Sequence, residues 1–257
     1  MSGTKKPESG SKPVRGGKMR YKVAAMDIEV YTSGIACICV KPEDITGKIF
    51  CDRSGPMQRE KIIEALAAMK RLIKRGYWIV TWNGLGFDYR ILAEAAQGND
   101  LTVVEVCRMA IQQIDIMYNF QCVAGFPASL ENVSKAMGFN GKHIKDDTIG
   151  RLWHGSSVDQ DQVIEYVERD VMATFEIYDA IMKRRGKIVW KNRKGTKSAR
   201  YLPMIMVDNQ PVRLMNAVES VTLPYPNLDW WWDDKDKPDK LENIAWFTKT
   251  MRGQHDD

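Results

Sequence analysis

The stretch VAAMDIEV, residues 23–30, sets two carboxylates, Asp27 and Glu29, inside an otherwise apolar run. The run reads as a buried strand. Strand side chains alternate, so positions i and i+2 share a face and both carboxylates point to one side. Two charges in such a strand are costly unless something neutralises them. A divalent cation does so; taken alone, a strand end whose charges meet solvent does so equally well.

Working outward, GIACICV (34–40) reads as a neighbouring strand after a Thr-Ser-Gly turn, and KIFCD (48–52) as a third. Between Met57 and Lys74 the residues Ile62, Ile63, Leu66, Met69 and Ile73 recur at helical spacing, which predicts an amphipathic helix ended by Gly76. YWIVTW (77–82) is a short apolar strand. It leads into WNGLGFD (82–88), where Asn83 and the glycines make a turn and Asp88 opens a helix through Ala96. Residues 101–113 and 129–137 read as helices, the latter capped by Ser129. The longest helix spans 159–185, and on it Tyr166 and Asp170 lie four apart on one face. KIVW-KNRKGTKSA-RYLP follows as two short strands around a turn, and past Pro203 the pattern weakens. This alternation predicts an α/β domain over residues 21–185 and a C-terminal extension over 186–257 that packs on the core. Residues 1–20, rich in Gly, Ser, Pro and Lys, are expected to be a disordered basic tail.

The formal net charge is +5, but it is unevenly spread. Residues 21–182 hold 17 basic and 22 acidic groups, whereas residues 183–200 hold nine basic groups and no acid. Clustered Lys and Arg suit phosphate. Lys191, Arg193, Lys194 and Lys197 are the candidate nucleic-acid contacts, with Trp190 and Tyr201 as candidate stacking platforms. The five cysteines form no C-x-x-C pair and no zinc spacing, which suits a reduced, cytoplasmic compartment. No apolar run approaches the roughly 18 residues of a membrane span.

Each acidic motif alone has a plain structural explanation; together and in order they bring Asp27, Glu29, Asp88 and Asp170 to one α/β domain. Four converging carboxylates need divalent cations to stay ionised, since each like-charge pair at about 4 Å and an effective dielectric near 20 costs on the order of 4 kcal/mol. Hard oxygen ligands suit Mg²⁺ or Mn²⁺.

D-I-E, W-N-x-x-x-F-D and Y-x-x-x-D together resemble the three-motif pattern of the DEDD 3′→5′ exonucleases. The position that holds histidine in one subclass is Glu165 here, so the likeness is to the tyrosine subclass. It is similar in particular to the proofreading domains of family B DNA polymerases and their stand-alone bacterial and phage relatives. The resemblance covers roughly residues 21–185. It implies a ribonuclease H-like fold, with a mixed central sheet flanked by helices, and two-metal hydrolysis of a nucleic acid, DNA favoured, from a single-stranded 3′ end. It further implies that Asp27 bridges two ions, that Glu29 and Asp170 hold the one that activates water, and that Asp88 serves the second. Tyr166 would orient the attacking water, Asn83 would hydrogen-bond in the cleft and Phe87 would pack there. A binding module of the same fold with little activity and a structure-specific endonuclease are the competing functions.

Asp115, in IDIM, reads as structural. Asp146 and Asp147 read as a turn cap, and Lys142, His143 and Lys145 as a solvated loop beside the long helix. The run Trp230–Trp232 and the group around Trp246 and Phe247 read as anchors of a C-terminal segment folding back on the core.

Overall fold

The computed structural model describes residues 20–96, 100–139, 148–223 and 240–252. The basic tail, the 142–147 loop and the Trp230–Trp232 run lie outside, or for the tail almost wholly outside, the described residues.

The sheet is built around the opening stretch. Strand β1 (Val23–Tyr31) pairs antiparallel with β2 (Gly34–Pro42), which pairs antiparallel with β3 (Lys48–Cys51). Helix α1 (Arg59–Lys74) crosses over to β4 (Trp78–Thr81), which lies parallel to β1 on its other edge. Next come α2 (Asp88–Ala95), α3 (Asp100–Gln112) and the two-residue β5 (Ile114–Asp115), parallel to β4. The order β3-β2-β1-β4-β5 makes a five-stranded mixed sheet with helices on both faces.

The alternation in β1 sorts the core. Ala24, Met26 and Ile28 join Ile62, Leu66, Met69 and Leu92 on one face, under α1 and α2. Ala25 lies on the other face, with Cys37 and Cys39 opposite Glu29 and Asp27 in register. That second face is covered by α7 (Ser157–Lys183) through Val163, Tyr166, Val167 and Val171. Between β5 and α7 run α4 (Ile116–Ala124), α5 (Leu130–Met137) and the short α6 (Ile149–Trp153).

Helix α7 begins two residues earlier than its apolar periodicity predicts. Ser156 accepts from the Asp159 N–H and Asp159 accepts from the Ser156 N–H, a capping box that fixes the start. After α7 come the hairpin of β6 (Lys187–Lys191) and β7 (Lys197–Tyr201) and a second hairpin of β8 (Met204–Val207) and β9 (Gln210–Leu214). The short α8 (Ala217–Ser220) precedes α9 (Lys240–Met251), which packs on α3 with Phe247 fully buried.

One stacking assignment is corrected. Trp190 is buried in β6 and meets Phe120 and Phe126 edge to face, so its ring belongs to the core. Tyr201 is 65% exposed. All five cysteines are free thiols. Among the described residues no helix is long and apolar enough to cross a membrane.

Candidate active site

The acids meet at the end of the sheet where the parallel strands β1 and β4 finish. Pairing of β1 with β4 stops at Ala25, because the chain turns away after Thr81. Beyond that point β1 has a free edge. Asp88, first residue of α2, fills it: its Oδ1 accepts the Ile28 N–H at 3.1 Å. The register irregularity at Glu29/Val30 lies directly at the site, as bulges beside functional residues often do.

Carboxylate oxygens of Asp27, Glu29 and Asp170 all lie within 4.8 Å of one another. Asp170 comes from α7, which crosses the face to which Asp27 and Glu29 point. Asp88 stands outside that 4.8 Å triad but lines the same cavity of about 680 Å³. Asn83 and Phe87 line it as well, so six of the residues read from the sequence converge. Phe87 is 41% exposed, a large ring left open at the rim.

Tyr166 lies one turn before Asp170, is 1% exposed, and belongs to the buried cluster that holds Ile149, Leu152 and Trp153, of which Ile149 also lines the cavity. Lys191, Arg193, Lys194 and Lys197 lie outside that lining, on the β6–β7 hairpin.

The WNGLGFD loop is shaped by its glycines and by Asp115. Asn83 adopts φ 68°, in the left-handed region. A Cβ at Gly84 would fall 2.4 Å from Thr81 Oγ1, and one at Gly86 would fall 2.5 Å from Asn83 Oδ1. Asp115 accepts from the N–H groups of Asn83 (3.0 Å), Leu85 (2.9 Å) and Tyr118 (3.0 Å). The structural reading of Asp115 fits: it is a buried hub that holds the loop and caps α4. Burial raises its carboxyl above the ordinary range against the pull of those N–H groups.

Burial also pushes the Asp88 carboxyl up to about 7, partly offset by backbone N–H donors. An acid this desolvated beside three others is a group that a cation would ionise. The donors are hard carboxylate oxygens, clustered and open to a cavity, and this set fits Mg²⁺ or Mn²⁺.

Sequence reasoning missed part of the lining. Met117, Pro127, Ala128, Ser129, Leu130 and Glu131 line the same cavity as the acids. Their one local signal is the Ser129 cap, which accepts the Asn132 N–H at 3.2 Å and starts α5 at the cavity edge.

Mixed sheet, helix-borne acid and strand-borne acid pair define a nuclease-type fold. Residues 26–182 match the family described as the RNase H superfamily, more than half of the chain, and the chain belongs to that superfamily. Among solved structures it is similar to a family B DNA polymerase from the hyperthermophilic archaeon Pyrobaculum calidifontis, at 21% identity and a TM-score of 0.52 over 68% of this chain. The match spans 25% of the polymerase, and at this identity it concerns the fold. No curated protein matches the chain.

Proposed function

We propose that the protein is a metal-dependent 3′→5′ exonuclease that hydrolyses nucleic-acid phosphodiesters, DNA favoured. The observation that carries this reading is the convergence of Asp27, Glu29 and Asp170 within 4.8 Å at an open cavity that Asp88 also lines.

Asp27, Glu29 and Asp170 would hold divalent cations, with Asp88 serving a second ion. When bound, two such ions supply charge neutralisation at the scissile phosphate and polarise the attacking and leaving oxygens. The chain's own residues do the rest. Phe87 offers an exposed ring against which the terminal nucleotide packs, and Asn83 offers its side-chain amide at the turn. Tyr166 is assigned to orient the attacking water through its hydroxyl, the one part of this buried side chain that such a role uses. We assign a single-stranded 3′ end as the substrate, with Pro127 to Glu131 among the residues that line the cleft it enters. Lys191, Arg193, Lys194 and Lys197 are assigned to the substrate backbone. The free thiols and the lack of a membrane-crossing helix among the described residues favour a cytoplasmic enzyme.

The test is digestion of single-stranded DNA and RNA labelled at the 5′ end, with Mg²⁺ or Mn²⁺. A ladder shortening from the 3′ end with release of nucleoside 5′-monophosphates is expected. Cleavage of a circular single strand would contradict exonuclease action. Substrate left intact under every cation, with binding retained, would contradict catalysis.

A further inference from the structure

The β6–β7 hairpin leaves α7 through a turn with little freedom. Arg185 has φ 52° and Gly186 φ +95°, and a Cβ at Gly186 would fall 2.5 Å from the Leu202 carbonyl oxygen. The Leu202 N–H donates to the Gly186 carbonyl at 2.8 Å. On its other side the hairpin is clasped by Asn132 of α5, whose Nδ2 donates to the Lys191 carbonyl (2.9 Å) and whose Oδ1 accepts the Lys191 N–H (2.7 Å). The hairpin is thus fixed to the helix that carries Asp170 and to the helix whose first turn lines the cleft.

Its register sorts the basic residues. Lys187 faces Tyr201, Val189 faces Ala199 and Lys191 faces Lys197. Directly opposed residues share a face. Three lysines and one tyrosine therefore stand on one face, over a floor of Val189 and Ala199, while Ile188 and Trp190 on the other face are buried. Lys191 and Lys197 are like charges directly across two strands, an arrangement that weakens a sheet when nothing anionic lies on it. Among the described residues Lys187, Lys191 and Lys197 pair with no carboxylate, whereas Lys183 nearby pairs with Asp179.

A groove of about 380 Å³ runs along this face, lined by Lys187, Val189, Lys197, Ala199, Arg184 and Met137. Two carbonyls of the last turn of α5 are taken: Ser134 accepts from Phe139 and Lys135 from Gly138. From Lys187 to Lys191 the face runs about 13 Å at roughly 3.3 Å per residue. A single strand laid along that length would set more than one phosphate against these lysines.

We propose that this face, Lys187, Lys191 and Lys197 with Arg184 and Tyr201, is an exosite for the sugar-phosphate backbone of the nucleic acid whose end enters the acidic cleft; the inference rests on the nuclease reading above. Lys187 and Arg184 join the residues read from the sequence, and the face as a whole replaces the undivided basic run. The exosite holds the strand away from the reacting phosphate. It therefore sets KM and salt dependence and leaves the chemical step alone.

The experiment compares wild type, the triple variant Lys187→Gln/Lys191→Gln/Lys197→Gln, and Arg200→Gln, whose side chain lies on the opposite face. Binding of a fluorescein-labelled oligothymidylate is read by anisotropy in EDTA over a salt series. Hydrolysis of that oligomer is compared with hydrolysis of thymidine 5′-monophosphate p-nitrophenyl ester, which is too short to reach the hairpin. The triple variant is expected to lose about 2 units of the log K against log salt slope, at about 0.7 per phosphate contact. Its KM for the oligomer should rise by a larger factor than its KM for the ester, and Arg200→Gln should behave as wild type. An unchanged slope, or an equal slope loss in Arg200→Gln, would overturn the exosite. So would wild type that binds phosphatidylserine vesicles and not the oligomer. If wild type hydrolyses neither substrate, the nuclease reading fails, and the binding arm still decides whether this face grips nucleic acid.

Discussion

Burial pushes the Asp88 carboxyl up to about 7 and raises Asp115 in the same direction. An unfolded aspartate releases its proton near pH 3.9. Between about pH 4 and 7 the folded protein therefore holds more protons than the unfolded chain, and stability falls as pH rises through that window. Acids held below their ordinary values, such as Asp159 with its Ser156 donors and Asp179 beside Lys183 and Arg20, are ionised in both states above about pH 5 and do not alter this slope. With divalent cations stripped by EDTA, calorimetry is expected to show Tm falling from about pH 5 to pH 7.5. Asp88→Asn should flatten much of that fall, and Mg²⁺ should raise Tm more at the alkaline end. A Tm that stays level or climbs over that range would mean that Asp88 is ionised without a cation. The four acids were legible because the period of a strand and the turn of a helix put each on a definable face. Tyr166 was legible both as a motif residue and as a member of the apolar stripe of its helix, the stripe that builds the core over β1.

At the scale of elements, what the sequence showed depended on contrast between faces. Strand β1, helix α1 and helix α7 bury one side, and their periodicity reveals it. Helix α4 was missed because Ile116, Tyr118, Asn119, Phe120, Cys122 and Ala124 are buried around much of its circumference, so no amphipathic period marks it. Strand β5 is two residues long and α6 only five, both too short for a period. The β8–β9 hairpin was hidden by Pro211 and by the register shift at Ile205/Met206. Trp190 was misread because lysines flank its strand, although alternation with Ile188 already placed both on the inner face. The hairpin's attachment gives a prediction at this scale. Gly186→Ala forces a side chain into a φ of +95° and against the Leu202 carbonyl, a strain on the order of 1–3 kcal/mol. Chemical denaturation should show a loss of that size, and protection of the β6–β7 amides from hydrogen exchange should drop before that of β1. Equal stability with unchanged exchange would mean that the turn relaxes freely and does not fix the hairpin.

Over the whole molecule, the proposed chemistry and the proposed grip are set apart. The segment 21–182 is acidic, and of the basic groups of 183–200, Lys187, Lys191 and Lys197 share one outer face of the β6–β7 hairpin. The C-terminal extension buttresses the site. Asn119 donates to the carbonyls of Asp115 (2.8 Å) and Met215 (2.9 Å) and accepts from Ser220 Oγ (3.0 Å), tying the extension to the hub under the WNGLGFD loop. Helix α9 adds Trp246, over which the Arg90 guanidinium of α2 lies at 5.4 Å. The apolar group around Trp246 and Phe247 was readable as an anchor, but the partners of these ties were not, because each depends on pairs that only the fold brings together. The central claim is that Asp27, Glu29 and Asp170 form one divalent-cation centre that drives phosphodiester cleavage. The most direct measurement is Mn²⁺ titration calorimetry and oligonucleotide cleavage on Asp27→Ala and Asp170→Ala beside wild type, with binding of the oligonucleotide as a check on the fold. Both variants should lose Mn²⁺ binding and cleavage while still binding the strand; substantial cleavage by either one would contradict the account.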